Sequence, residues 1–281
     1  MIWLLPAALC SISIALILKL NEGRGGSRML IAGANYLAAS GISFFMLGGR
    51  LPRPADATLA LGIAAGAVFV LGFLLLMAGI ARLPLAVPVT IARLSVALPV
   101  AVSILWWTEQ PGVFQWLGLL LGLAAIVIIG RSLSGSRSVP GGRGGAAPIV
   151  AALFVVLGLG DVALKAFRET APDLDRLAFT WILFTAAAAL TWALIVIRRV
   201  PFDARTFALG LLLGVPNLFS TVFTLLALRA VPASIAFPFI NLAVIVGSTI
   251  AGSLIWKERL RRMTALGLAV AAAAIVLLAL R

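Results

Sequence analysis

Residues 58–80 read TLALGIAAGAVFVLGFLLLMAGI, an apolar run without a charged side chain. A helix needs about 20 such residues to cross the hydrocarbon core of a bilayer, which is roughly 30 Å thick. The run therefore predicts a transmembrane helix. Similar apolar stretches recur on both sides of it to the two ends of the chain, so this is a polytopic membrane protein and the solvent of its fold is lipid.

The composition of the whole chain agrees with this prediction. Of its 281 residues, 63% are hydrophobic and 11% are charged, whereas soluble domains have roughly 45–50% apolar and 25% charged residues. A soluble fold would have to expose large apolar patches, and disorder requires low hydrophobicity, so both classes are excluded. The chain has one cysteine, Cys10, and no histidine. It therefore lacks a disulfide framework and the commonest metal ligand, and no metal or other cofactor is expected.

Ten apolar segments separated by short polar breaks predict an all-α integral membrane protein, because a lipid-exposed backbone must satisfy its own hydrogen bonds. The longest polar break, 131–147, is rich in Ser, Gly and Arg and predicts a flexible linker. It divides the chain into a first five-helix repeat, 1–130, and a second, 148–281. The predicted spans are 2–20, 29–48, 58–80, 85–107, 112–130, 148–167, 177–197, 206–228, 232–256 and 264–280.

The two halves resemble each other in sequence. Ala15-Leu16-Ile17-Leu18-Lys19 ends span 1 as Asp161-Val162-Ala163-Leu164-Lys165 ends span 6. Likewise, Leu105-Trp106-Trp107-Thr108-Glu109, with Gly118 beyond it, matches Leu254-Ile255-Trp256-Lys257-Glu258 with Gly267. Because each half has an odd number of spans, the second must insert upside down. This predicts inverted repeats around a central cavity, an arrangement typical of secondary transporters.

Prolines occupy corresponding positions in the two halves. Pro84 and Pro88 begin span 4, much as Pro232 and Pro238 begin span 9. Proline-interrupted helices at matched positions predict spans 4 and 9 as walls of the binding site. The alternative is that these prolines only kink packed membrane helices.

Two charged residues, Arg93 and Asp161, lie well inside predicted spans. An intramembrane charge costs at least about 2.5–3.5 kcal/mol, so each should face a cavity or a partner. In one interpretation Arg93 binds an anionic or zwitterionic substrate and Asp161 binds an amine or a coupling proton. In the other, Asp161 pairs with Arg93 or Lys165 and locks the halves together. Lys19 and Lys165 lie near span ends, where they either assist binding or snorkel to the surface.

Uncharged polar residues inside spans complete the candidate site. An amide needs several hydrogen-bond partners, which favours Asn35 and Asn241, while membrane serines more often bond between helices. Asn241 occupies nearly the same place in span 9 as Arg93 in span 4. The predicted substrate-binding residues are Arg93, Asn35, Tyr36, Ser95, Asn241, Lys19 and Lys165, with Asp161 as a coupling group or charge partner.

The ends of the two repeats, Glu109…Gly118 and Trp256-Lys257-Glu258-Arg259-Leu260…Gly267, resemble the EamA-type transporters of the drug/metabolite transporter superfamily. The resemblance covers essentially the whole chain and includes the entry to span 9, Val231–Pro238. Thr90–Val100 is similar to a bacterial branch in which a basic residue precedes a small polar residue and a proline. Arg93 stands where that branch often has lysine. The resemblance implies a basket of ten helices in the cell (inner) membrane that moves small organic solutes by alternating access.

Orientation in the membrane stays open. The formal net charge is +13, and the loops on the linker's side carry most of the loop Lys and Arg residues. The positive-inside rule then places the linker in the cytoplasm and both termini outside, whereas the resemblance implies cytoplasmic termini. Because basic loops in such proteins reflect topology, no nucleic-acid partner is expected.

The expected function is a secondary transporter, not an enzyme, whose partners are a small-molecule or lipid-like substrate and the bilayer, as a monomer or homodimer. One alternative is a flippase for a lipid or polyprenyl-phosphate head group, in which Arg93 holds a phosphate. An intramembrane enzyme would need several acidic metal ligands or a histidine base, and a single deep Asp disfavours it. A structural or receptor protein would have a sealed interior without a polar cavity.

Overall fold

The structure, a computed structural model, describes residues 2–82, 86–133, 147–256 and 262–280. Within these ranges every regular element is a helix, and no strand occurs. A short 3-10 turn, Asp173–Asp175, precedes α8. The helices are α1 Leu4–Gly23, α2 Arg28–Met46, α3 Asp56–Arg82, α4 Ala86–Leu94, α5 Ala97–Leu105, α6 Val113–Leu133, α7 Ala147–Thr170, α8 Arg176–Ile197, α9 Ala204–Ala227, α10 Ala233–Trp256 and α11 Arg262–Ala279.

The predicted all-helical fold and its number of spans are confirmed. Among the described residues, ten helical segments are long and apolar enough to cross a membrane, and α4 with α5 supplies one of them, Pro88–Leu105. The predicted linker begins too early, because α6 continues through Leu133. Its last turn contains Arg131, and a cation there interacts favourably with the helix dipole. The rest of the linker up to residue 146, together with Pro84 and Lys257-Glu258-Arg259-Leu260, lies outside the described residues.

The chain forms two compact units, each of which combines parts of both sequence halves. Unit 1 consists of Met1–Val70 and Ala163–Ala230, and unit 2 of Leu71–Val162 and Val231–Arg281. The boundaries fall inside α3 and α7. The two units are therefore a different division of the chain from the two predicted repeats, which remain a prediction.

In unit 1, α9 packs closely against α2 through two glycines spaced four residues apart. A Cβ atom at Gly210 would lie 2.7 Å from the carbonyl oxygen of Ile31, and one at Gly214 would lie 2.7 Å from that of Asn35. Both distances are below van der Waals contact, so any other residue would force the helices apart. Small residues at this spacing are a common way for membrane helices to approach backbone to backbone.

In unit 2, α6 packs against α11 through the two glycines that follow the matched sequence segments. A Cβ at Gly118 of α6 would lie 2.9 Å from Leu278 Cγ, and one at Gly267 of α11 would lie 2.5 Å from Ile129 Cγ1. The glycine of each helix thus faces an aliphatic side chain of the other.

Several acidic residues outside the deep part of the spans have defined structural roles as helix caps. Both carboxylate oxygens of Glu109 accept hydrogen bonds at the start of α10, from the backbone N–H groups of Ala233 (2.9 Å) and Ser234 (2.8 Å). Asp203 accepts from the N–H of Thr206 at the start of α9 (2.7 Å). These bonds satisfy N-terminal amides that have no partner within the helix.

Candidate functional site

The candidate site in unit 2 begins at a break in span 4. Helix α4 ends at Leu94 and α5 begins at Ala97, with the turn residues Ser95 and Val96 between them. Pro99 causes this break, because it has no N–H to donate to the carbonyl of Ser95 four residues earlier. That carbonyl accepts instead from Leu98 N at 3.0 Å. In contrast, α10 continues through its own Pro238, so of the two proline-bearing spans only span 4 is interrupted within the described residues.

Helix α7 contacts this break through a glycine. A Cβ at Gly158 would lie 2.6 Å from Leu98 Cβ and 2.9 Å from the carbonyl oxygen of Ser95. Only glycine allows the backbone of α7 to come this close. One turn further along α7 lies Asp161, which this packing places near the end of α4, where Arg93 is located.

Arg93 is held by a neutral partner. Its Nη1 donates a hydrogen bond to Oδ1 of Asn241 on α10, at 3.3 Å. The amide of Asn241 is oriented for this role, because its Nδ2 donates to the carbonyl oxygen of Phe237 at 3.2 Å. The oxygen side of the amide is therefore left to face the guanidinium.

Asp161 also acts on Arg93, at longer range. Its carboxylate attracts the guanidinium electrostatically. Among the described residues, the carboxylate of Asp161 has neither a hydrogen-bond donor nor a direct ion-pair partner. Glu109, Glu169, Asp173, Asp175 and Asp203 all have such partners.

Arg93 lines a cavity of about 130 Å³ between α4, α6 and α10. Its walls come from both sequence halves, since α4 and α6 belong to the first and α10 to the second. The lining combines Arg93 and three hydroxyl side chains with mostly aliphatic residues. The lining residues are Val89, Thr90, Arg93, Ile126, Ile129, Gly130, Ile245, Ser248 and Thr249.

Ser95 lies beside this cavity without lining it. Its side chain is buried, and its hydroxyl donates to the carbonyl oxygen of Ala92 at 2.8 Å. The hydroxyl therefore provides a hydrogen bond to a backbone carbonyl group at the end of α4, next to the break.

Sequence reasoning missed the hydroxyl residues of the cavity, Thr90, Ser248 and Thr249. A helical period would have found them, because Thr90 precedes Arg93 by one turn and Ser248 follows Asn241 by two turns on the same helix face. The hydroxyls of Ser248 and Thr249 donate to the carbonyl oxygen of Ile245, at 3.4 and 2.7 Å. Their oxygen lone pairs remain available to a ligand.

Unit 1 contains the other predicted polar residues. Asn35 is buried on α2, and its Oδ1 accepts from Nδ2 of Asn217 on α9 at 3.1 Å. The neighbouring Tyr36 is buried, with its ring 6.3 Å from that of Phe184. The close approach of α2 and α9 at Gly214 places the two asparagines within reach of each other.

The predicted lysines differ in their surroundings. Lys165 is 5% exposed, and its ammonium forms an ion pair with Glu169 one turn along α7, at 2.5 Å. Asp161 has the same four-residue spacing from Lys165 on the other side, and either pairing was compatible with the sequence. Lys19 lies near the C-terminal end of α1, half-exposed.

Outside the spans, the pKa of Asp203 is shifted. The hydroxyl and the backbone N–H of Thr206 donate to its carboxylate and hold the pKa of Asp203 below its usual range. Hydrogen bonds to the charged form favour that form.

Comparison with known proteins shows a shared fold and names no activity. No family model matches the chain. An uncharacterized protein of Haemophilus influenzae is 24% identical to it over 280 residues, which cover 94% of this chain and 93% of the relative. A protein of known crystal structure aligns with a TM-score of 0.79 and 17% identity, over 98% of this chain and 94% of its own. At this identity the structural likeness shows a shared fold alone.

Proposed function

We propose that the protein is a secondary transporter that moves a small anionic or zwitterionic organic solute across a membrane by alternating access. One observation carries this proposal: Arg93, inside the candidate span Pro88–Leu105, lines a cavity and is hydrogen-bonded to a neutral amide. A half-buried guanidinium that is not consumed by a direct ion pair retains donors for a ligand anion. Interrupted helices beside a polar cavity are typical of transporter binding sites.

The α6–α11 contact supports the inverted repeats that this mechanism needs. Gly118 and Gly267 are matched in the two halves at an offset of 149 residues, and Ile129 and Leu278 have the same offset. Gly118 faces Leu278 while Gly267 faces Ile129. Such reciprocal contacts, in which residue i contacts j′ and i′ contacts j, are the pattern expected of two repeats related by a twofold axis.

The Arg93–Asn241 hydrogen bond supports the same axis. The two residues are 148 positions apart, as are Pro84 and Pro232, the prolines that begin spans 4 and 9. This is within one residue of the 149-residue offset above, and residues at nearly matched positions contact each other where such an axis passes between them. An axis at this place would put the candidate site where inverted-repeat transporters bind their substrates.

The volume of the cavity fits a small solute. A volume of about 130 Å³ is comparable to the roughly 150 Å³ cavity known to hold benzene.

The test is a thermal-shift screen of the purified protein against small carboxylates, amino acids and phosphorylated metabolites, followed by uptake of each stabilising solute into proteoliposomes. A ligand that binds the native state raises its apparent stability. Arg93→Ala should abolish uptake while the folded yield is unchanged, and Arg205→Ala, in an exposed position, should transport normally. Wild-type uptake by Arg93→Ala would overturn the proposal.

A further inference from the structure

We propose that the transported solute is a short-chain monocarboxylate of about six non-hydrogen atoms, carried together with one proton that Asp161 accepts. This inference rests on the transport function proposed above, and it adds the substrate class and the coupling ion. Four observations carry it: the volume of the cavity, the chemistry of its lining, the position of Asp161 outside that lining, and the charge balance of the site.

Volume sets the size of the solute. The cavity of about 130 Å³ is slightly smaller than the roughly 150 Å³ space that accommodates the six carbons of benzene in another protein. A three-carbon hydroxy acid, with six non-hydrogen atoms, matches this volume. Tricarboxylates and hexose phosphates are roughly twice this size or more and would extend out of the cavity.

The lining selects a carboxylate with a short hydrocarbon part. A guanidinium binds a carboxylate through two parallel N–H donors, and Arg93 is the charged side chain among the described residues that line the cavity. Ile126, Ile129 and Ile245 supply aliphatic walls, which an inorganic anion could not use. The hydroxyl oxygens of Ser248 and Thr249 can accept a hydrogen bond from a hydroxyl group on the solute.

A zwitterion fits this cavity less well than a monoanion. Its carboxylate would bind Arg93, but its ammonium group would need a carboxylate in the same space. Asp161 is the carboxylate whose charge acts on Arg93, and it is not among the residues that line the cavity. Hydroxyl lone pairs alone compensate poorly for burying an ammonium ion.

The net charge of the site is the reason for including a proton. Without solute, the guanidinium of Arg93 and the carboxylate of Asp161 neutralise each other. A bound monoanion adds one negative charge inside the membrane, where an uncompensated charge is costly. A proton on Asp161 removes that excess: its carboxylate becomes a carboxylic acid when the anion binds, and it returns the proton when the anion leaves on the other side.

The charged groups around Asp161 leave it available for this role. Arg93 of α4 is the charged side chain that acts on it from another helix among the described residues. On α10 the neutral Asn241 faces Arg93. On α7 itself, the ammonium of Lys165 is paired with Glu169.

The experiment uses wild-type protein in proteoliposomes with L-lactate and L-alanine, which have equal numbers of non-hydrogen atoms but net charges of −1 and 0. An internal pH dye reports proton entry. We expect lactate uptake to acidify the lumen, and an inward gradient of one pH unit to accumulate lactate about tenfold, the limit for one proton per anion. Alanine should cause neither. Alanine uptake without acidification, or lactate uptake without protons, would overturn the inference.

Asp161→Asn tests the proton acceptor, with Asp203→Asn, in a loop outside the spans, as the matched control. We expect Asp161→Asn to retain lactate-induced thermal stabilisation and lactate exchange, and to lose accumulation driven by the pH gradient. Retained proton-driven accumulation would contradict the role of Asp161. If Asp161→Asn does not fold, the wild-type proton flux still decides the coupling.

The same measurements separate this inference from the transport function. If another solute is transported and lactate is neither bound nor moved, the monocarboxylate assignment is wrong and the transporter stands. If lactate stabilises the protein but no solute crosses the membrane, the transport function is wrong, and so is the proton coupling that rests on it.

Discussion

Arg93 on α4 and Asn241 on α10 occupy nearly the same place in the two sequence halves and are joined by a hydrogen bond of 3.3 Å. The two halves thus contribute different chemistry at equivalent places, a cation from one and an amide from the other. A second arginine would repel the first at this distance, and a carboxylate would neutralise it. An amide holds the guanidinium in place and leaves its charge available.

Asn241→Asp should weaken binding of an anionic solute by about tenfold or more, because a carboxylate at this position would form an ion pair with Arg93 and compete with the solute. A charge-assisted hydrogen bond contributes about 1.5–3 kcal/mol, and 1.4 kcal/mol is tenfold in affinity. The measurement is the dissociation constant of the solute selected by thermal shift. Asn241→Ala, which adds no charge, should weaken binding less; equal binding by wild type and Asn241→Asp would contradict the model of an anion site.

Gly158→Ala should destabilise the protein by about 1–3 kcal/mol, the usual cost of overpacking. The new Cβ would lie 2.6 Å from Leu98 Cβ and 2.9 Å from the Ser95 carbonyl oxygen, so α7 would have to move away from the break in span 4. Thermal unfolding in detergent measures the effect. Gly41→Ala, on α2 with nothing within 4 Å of the new atom, is the control and should be neutral or slightly stabilising. A normal melting temperature for Gly158→Ala would mean that this contact is not tight.

Glu109→Ala should lower stability by about 1–2 kcal/mol, because it removes the acceptor for two backbone amides at the start of α10. Glu109→Gln retains one acceptor oxygen and should fall between the wild type and the alanine variant. The midpoint of thermal unfolding measures both. The exposed neighbour Gln110 supplies the control Gln110→Ala, and a loss of stability as large as that of Glu109→Ala in this control would show that the cap is not the cause.

Asp203→Ala should lower the melting temperature at pH 7, and the difference from the wild type should shrink toward pH 3. The pKa of Asp203 is held below its usual range by Thr206. A depressed folded-state pKa stabilises the native state above the unfolded-state value, near 3.9, and this contribution is lost as the pH falls through the folded-state pKa. Melting curves at several pH values between about 3 and 7 test the sign. A difference that grows on acidification would refute it.

Hydropathy predicted the spans because a bilayer imposes one length and one composition on every helix that crosses it. The cost of burying charge likewise identified Arg93 and Asp161. These two inferences depend on local sequence alone. The choice of Glu169 as the partner of Lys165 does not, since Asp161 has the same spacing and the packing around α7 decides between them.

The cavity itself could not be predicted from local sequence. Thr90, Ser248 and Thr249 are small residues that membrane helices tolerate anywhere, because a hydroxyl can bond to the carbonyl of its own helix, as Thr249 does. Which helix face lines a cavity depends on long-range packing. The close contact of α7 with the break in span 4 depends in the same way on Gly158, which lies in the other half of the sequence.

The paired glycine contacts between α6 and α11 have a mechanical consequence. Gly118 and Ile129, the α6 residues of the two contacts, are separated by about 16 Å along the helix at 1.5 Å per residue. Two helices that are in close contact at one point can pivot about it. Two helices that are in close contact at two distant points move as one rigid body. Any motion that moves the α6 wall of the cavity must therefore displace α6 and α11 together.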